Sequence, residues 1–186
     1  MIYVETKNYV EMDAVHINLI KSTAMALKAR DMLELGIGSG KVTTALLEAS
    51  MATGYGQVTV VDNWIDWGGA QPPTIHGAAP YIFVNRLQTI TQSEKDFIEK
   101  QQGVTQFDLI VSDADHQHSH EWWRKTMALL KYGGVAFFHD VCNKDFPKLN
   151  TMVYDIDAAG YHTKIFNASS HPFERCERGL LMAWKD

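Results

Sequence analysis

Short, almost uninterrupted apolar segments alternate with segments of helical periodicity along most of this chain. DMLEL (31–35), QVTVVD (57–62), FDLIVSD (107–113) and VAFFHD (135–140) read as four clear strands, and a weaker one is expected at 87–91. Residues 9–29 carry Met12, Val15, Leu19, Ile20, Ala24 and Leu27, whose spacings of three and four predict a helix with one apolar stripe. Residues 41–51, with Val42, Ala45, Leu46 and Ala49, predict a second helix, and 93–102 a third. A fourth is expected over 117–131, stopped at Gly133 and Gly134. The tail adds a helix at 145–159 and strands at 161–166 and 179–184. Strands alternating with helices imply a doubly wound, mostly parallel sheet with helices on both faces. The continuous apolar character of the strands agrees, because central parallel strands are buried on both sides.

With 186 residues, the chain suits a single domain over 1–186, opened by a leading helix within 1–30. A net charge of −5 and the lack of a basic tract argue against a nucleic-acid partner. No apolar run approaches the ~20 residues of a spanning helix, so no membrane partner is expected. The N-terminus is acidic and mixed, unlike a secretory signal. Cys142 and Cys176 are too few for a disulfide framework, so a reducing, cytoplasmic setting is expected. A homodimer is compatible with the leading helix, but no pattern specifies one. One segment breaks the alternation: residues 63–80 hold three Gly and three Pro, which predicts a lid or binding loop at the ligand rim.

In open parallel sheets, ligands bind at the carboxyl ends of the strands. Here those ends carry a glycine loop at 36–40, Asp62, the run Asp113 to His116, and His139 with Asp140. The glycine loop, LELGIGSGK, allows three readings. A phosphate-binding P-loop needs glycine where Leu35 stands and Ser or Thr where Val42 stands. A dinucleotide fingerprint needs its third glycine where Lys41 stands.

The third reading fits better. Glu34, Gly36, Gly38 and Gly40, in the pattern Glu-x-Gly-x-Gly-x-Gly, resemble the first motif of class I S-adenosylmethionine-dependent methyltransferases. That resemblance implies a seven-stranded sheet with an antiparallel last strand. It also implies S-adenosyl-L-methionine as cofactor, with Asp62 accepting from the ribose hydroxyls. Asn63, Trp64, Ser93 and Asp113 complete the expected cofactor-binding set, although Trp64 could equally pack as stack on adenine. DLIVSDADH (108–116) and LLKYGGVAFFHDV (129–141) are similar to the fourth- and fifth-strand motifs of the metal-dependent O-methyltransferases, the catechol, caffeoyl-CoA and macrolide-sugar group. The resemblance implies a divalent metal held by Asp113, His139 and Asp140, with Asp113 and His116 as catalytic residues. His116 stands where that group carries a lysine proposed as base, and His139–Asp140 where it carries Asp-Asn. Carboxylates alone suit Mg²⁺; an imidazole shifts preference toward Mn²⁺, Fe²⁺ or Zn²⁺. His139 and Asp140 are consecutive, so both can ligate only if the strand leaves its pleat there.

The expected activity is therefore metal-assisted methyl transfer to a hydroxyl of a small-molecule acceptor. The alternatives are a metal-independent methyltransferase acting on nitrogen or another acceptor, a cofactor-binding protein without catalysis, and a metallohydrolase suggested by DADHQHSH. The last leaves the glycine loop and Asp62 unexplained, and the Asn/Asp-Pro-Pro-Tyr motif of N-methyltransferases is absent. Plainer roles are expected nearby: Asp115 as a cap of the following helix, His118 and His120 partly exposed, at least one of Trp122 and Trp123 in the core, and Cys142 an inert thiol.

Overall fold

The computed structural model describes residues 12–63, 85–167 and 178–185. The helices are α1 (Ala14–Leu27), α2 (Lys41–Thr53), α3 (Glu94–Gln101), α4 (Ser119–Ala128) and α5 (Pro147–Ala158). The strands are β1 (Asp31–Leu35), β2 (Gln57–Asp62), β3 (Leu87–Thr91), β4 (Phe107–Ser112), β5 (Leu130–His139), β6 (His162–Asn167) and β7 (Gly179–Trp184). They form one seven-stranded sheet in the order β3-β2-β1-β4-β5-β7-β6. β1 to β5 run parallel, and β7 is antiparallel to both of its neighbours. The expected doubly wound α/β sheet with an antiparallel last strand is what the chain forms. Among the described residues no helix is long and apolar enough to cross a membrane.

Two apolar layers sandwich the sheet. On one face Ile98, Trp122, Trp123, Met152 and Ile156, from α3, α4 and α5, pack with Leu33, Ile110 and Phe138. On the other, Ile20, Ala24 and Leu46, from α1 and α2, pack with Val60, Val111 and Phe137. Both tryptophans are core residues.

Two expectations need correction. The buried stripe of α1 is His16, Ile20 and Ala24, whereas Val15 is 63% exposed and Leu27 37%. The helix turns a histidine inward and a valine outward, so hydrophobicity alone misaligned the stripe. Gly133 and Gly134 do not stop α4, which ends at Ala128; they lie inside β5. Phe107 pairs with Leu130 but Leu109 with Val135, so β5 carries three extra residues in a bulge at that point. Gly133 takes φ 75°, and a Cβ on Gly134 would stand 2.9 Å from the Asp108 carbonyl oxygen. Glycine is needed there for the bulge.

Candidate active site

The sheet's connections reverse direction between β1 and β4, which opens a crevice at the carboxyl ends of the strands. A groove of about 460 Å³ lies there, walled by Gly36, Asp62, Ser93, Asp113, His116 and Phe146 among others. That volume is within the usual range for a cofactor or small-ligand site.

The glycine loop forms one wall. Gly36 leaves β1 with φ 85° and donates its N–H to the Val61 carbonyl at 2.9 Å. A Cβ at Gly36 would stand 2.6 Å from the Asp113 carbonyl oxygen and 2.7 Å from Ala114 Cα, so only glycine lets the loop approach the β4 tip. Asp62, at the tip of β2, accepts the Ile37 N–H on Oδ2 at 2.9 Å, which ties the loop to the neighbouring strand. Asn63 and Ser93 also line the groove, and Ser93 Oγ accepts the Asp96 N–H as cap of α3. Gly38 and Gly40 lie in the loop without bordering the groove; Gly40, with φ 77°, is the N-cap of α2. Glu34 lies beneath the loop, 1% exposed, where its Oε2 accepts the Thr43 hydroxyl at 2.6 Å. Burial pushes its carboxyl up to about 8, against the opposing pull of the Thr43 hydrogen bond. Trp64 and most of the expected lid lie outside the described residues.

Asp113 and His116 line the opposite wall, and His139 and Asp140 are buried behind them. β5 ends at His139, and Asp140 takes φ 60°, a left-handed turn that Asp tolerates better than most residues. The turn brings both consecutive side chains to the β4 tip. His139 Nδ1 lies 2.9 Å from Asp113 Oδ1 and 3.6 Å from Asp140 Oδ1. His116 Nε2 lies 3.6 Å from Asp113 Oδ1 and 3.7 Å from Asp140 Oδ2. Burial raises the Asp113 carboxyl, but the charge and hydrogen bond of His139, with His116 and Arg178 beyond, outweigh it and hold the group below its ordinary value. Burial lowers His139, yet Asp113 and Asp140 outweigh that and hold the imidazole above its ordinary value. The expected catalytic and metal residues are thus brought together at one tip.

The donors stand as a ring and not as a finished cage. Among the described residues no three His, Cys, Asp or Glu side chains already meet the geometry of a metal site. Two carboxylates and an imidazole nonetheless lie close together, and among the described residues Asp140 Oδ1 is buried without a hydrogen-bond partner. Ligands bonded at ~2.1 Å to a shared ion stand about 3 Å apart, close to the spacing of this ring.

Asp115 is not the cap of α4, whose N-cap is His118; its Oδ1 accepts the N–H groups of Gln117 and His118, each at 3.1 Å, in the turn before the helix. Three residues escaped the sequence reading. Glu94, at the first position of α3, accepts the Ser112 hydroxyl at 2.9 Å and the Asp115 N–H at 3.2 Å, and burial pushes its carboxyl up to about 7. An acidic residue directly after a capping serine was the available signal. His16 is fully buried beside His139, with ring centroids 5.7 Å apart. Its spacing of four from Ile20 was the signal. Arg178, with Nε 3.7 Å from Asp140 Oδ1, follows a segment with no pattern that points to it.

The chain belongs to the methyltransferase-domain family, whose model matches residues 33–141. Its fold is shared with solved structures at low identity. A Klebsiella pneumoniae protein provisionally described as an O-methyltransferase aligns with TM-score 0.75 and 15% identity, over 96% of this chain and 83% of that one. A Bacillus cereus O-methyltransferase in complex with SAH gives TM-score 0.69 and 15% identity, over 94% and 83%. A precorrin-6y C5,15-methyltransferase from Geobacter metallireducens gives TM-score 0.68 and 16% identity, over 96% and 92%. A search of curated proteins found no significant match.

Proposed function

We propose that this methyltransferase uses S-adenosyl-L-methionine to methylate a hydroxyl of a small-molecule acceptor, assisted by a divalent ion. The observation that carries the reading is one groove joining Gly36 and Asp62 to Asp113 and His116 across a backbone contact, with His139 and Asp140 buried against Asp113. Family membership and the O-methyltransferases and SAH complex among the structural neighbours support it. The acidic net charge of −5 favours a small acceptor over a nucleic acid.

When bound, the cofactor supplies an already activated methyl group, which leaves the protein to position the acceptor and remove its proton. The Gly36 turn gives the cofactor close backbone approach, and Asp62 offers carboxylate oxygen to ribose hydroxyls. His116 Nε2 receives the acceptor's hydroxyl proton, and Asp113 and Asp140, at 3.6 and 3.7 Å, stabilise the imidazolium that results. Phe146 backs His116, with ring centroids 5.0 Å apart, and fixes its orientation. Asp113, His139 and Asp140 would hold a divalent ion, whose chemistry there is to lower the pKa of a coordinated hydroxyl.

Calorimetric titration with S-adenosylmethionine, with and without chelator, tests both halves. Asp62→Ala should weaken cofactor binding by about 1.5–3 kcal/mol, the range for lost hydrogen bonds to a charged group. An unchanged dissociation constant in the folded variant removes the ribose assignment. Asp113→Ala should leave cofactor affinity nearly intact while abolishing metal-dependent turnover. The Asp113–His139 hydrogen bond favours a second reading, because it completes an acid–histidine pair with no ion. On that reading, with nitrogen or another atom as acceptor, turnover persists in chelator.

A further inference from the structure

The turn from Ser112 to Asp115 carries Asp113, and His116 follows it directly, so the seating of this turn shapes one wall of the groove. Main chain holds it on one side. The Asp113 N–H donates to the Leu35 carbonyl at 2.9 Å, and Gly36 packs against the backbone of Asp113 and Ala114. A side chain from α3 holds it as well. Glu94 Oε1 accepts the Ser112 hydroxyl at 2.9 Å, and Oε2 accepts the Asp115 N–H at 3.2 Å. These two donors stand on either side of Asp113 and Ala114, so one carboxyl spans the two residues that meet Gly36. Glu94 is itself well anchored: it opens α3, where negative charge is favoured, and Phe97 and Ile98 of that helix are core residues. Glu94 and Ser112 are both buried, and a buried donor that loses its acceptor is costly.

We propose that Glu94 is a positioning residue: its carboxyl seats the 112–115 turn against Gly36 and so keeps the cofactor groove in its binding shape. This role rests on the cofactor reading above. It asks for two-point hydrogen bonding and not for charge. The Ser112 hydroxyl can donate or accept. Glu94→Gln can therefore accept the Asp115 N–H on its oxygen and donate an amide N–H to Ser112 Oγ, which keeps both bonds. Glu94→Leu keeps a similar volume but leaves both donors without an acceptor. A turn seated only part of the time lowers the apparent affinity of any ligand that needs it seated, in proportion to the seated fraction.

The test is calorimetric titration of S-adenosylhomocysteine into the full chain without added metal, with thermal melts in parallel. Glu94→Leu should bind about 10-fold more weakly or worse, and Glu94→Gln should stay within about 3-fold of the wild type. Ser112→Ala removes one of the two donors and gives an answer even if Glu94→Leu fails to fold. Ser112 is buried and does not border the groove, so its loss reaches the ligand only through the turn. Binding should weaken several-fold, by less than in Glu94→Leu. Wild-type affinity in folded Glu94→Leu or in Ser112→Ala, even with a lowered melting temperature, overturns the assignment. Glu94→Gln binding as poorly as Glu94→Leu also overturns it, because the charge of Glu94 then matters and not its two bonds. A wild type that does not bind S-adenosylhomocysteine overturns the cofactor reading and this role together.

Discussion

Glu34 shows how a residue of the glycine motif can serve the fold itself. Its carboxyl accepts the Thr43 hydroxyl under the glycine loop, and burial pushes it up to about 8 from an ordinary value of 4.5. The folded chain therefore holds a proton that the unfolded chain releases near pH 4.5. Stability from this group should fall as pH rises from about 4.5 to 8 and level off above, a loss of roughly 3–5 kcal/mol from the shift. Glu34→Gln keeps an acceptor for Thr43 and cannot ionise. Urea unfolding of the two proteins from pH 5 to pH 9 should diverge in that direction, with the variant gaining on the wild type as pH rises. Parallel curves would mean that Glu34 is already ionised in the fold. The residues at the strand tips were legible in the sequence because each ends a recognisable strand. His16 and Glu94 were not, because the groups each one meets are distant in sequence: His139 for His16, Ser112 and Asp115 for Glu94.

Among the elements, the strands were easiest to read. β1, β2, β3 and β7 begin and end where the sequence predicts; β1, β2 and β7 are short, largely buried and mostly apolar runs, too short for helices. The end of α4 was misplaced because Leu129 and Leu130 continue its apolar pattern, and only pairing with Phe107 draws Leu130 into the sheet. The loop between β1 and α2 yields a sharp comparison of two left-handed glycines. Gly40→Ala meets nothing within 4 Å and should cost only the conformational strain, about 1–2 kcal/mol. Gly36→Ala adds a clash with backbone atoms at 2.6 to 2.8 Å, which no side-chain rotation relieves. It should cost well over 2 kcal/mol or displace the loop, and abolish cofactor binding. Thermal melts with cofactor titration would separate the two, and similar behaviour would mean that the β4 tip yields easily.

The described residues form a sheet between two apolar layers, with the candidate site at one rim. Phe137, fully buried in the middle of β5, belongs to the layer against α1 and α2. Phe137→Ala should cost about 3–5 kcal/mol in urea unfolding, whereas Tyr132→Ala, at an 81% exposed position in the same strand, should stay within about 0.5 kcal/mol. Equal costs would mean that the sheet's two faces are not the source of its stability. The meeting of the Gly36 turn with the backbone of Asp113 and Ala114 bears on how such a protein changes over time. The joint demands glycine at 36 but meets only main-chain atoms of Asp113 and Ala114, so it is indifferent to the side chains those two positions carry. Beyond Gly36 itself, the glycine loop and the tips of β4 and β5 can accumulate substitutions separately. On the proposed function, acceptor preference is then a portable trait, open to grafting at the tips of β4 and β5 while the donor's seat is inherited unchanged.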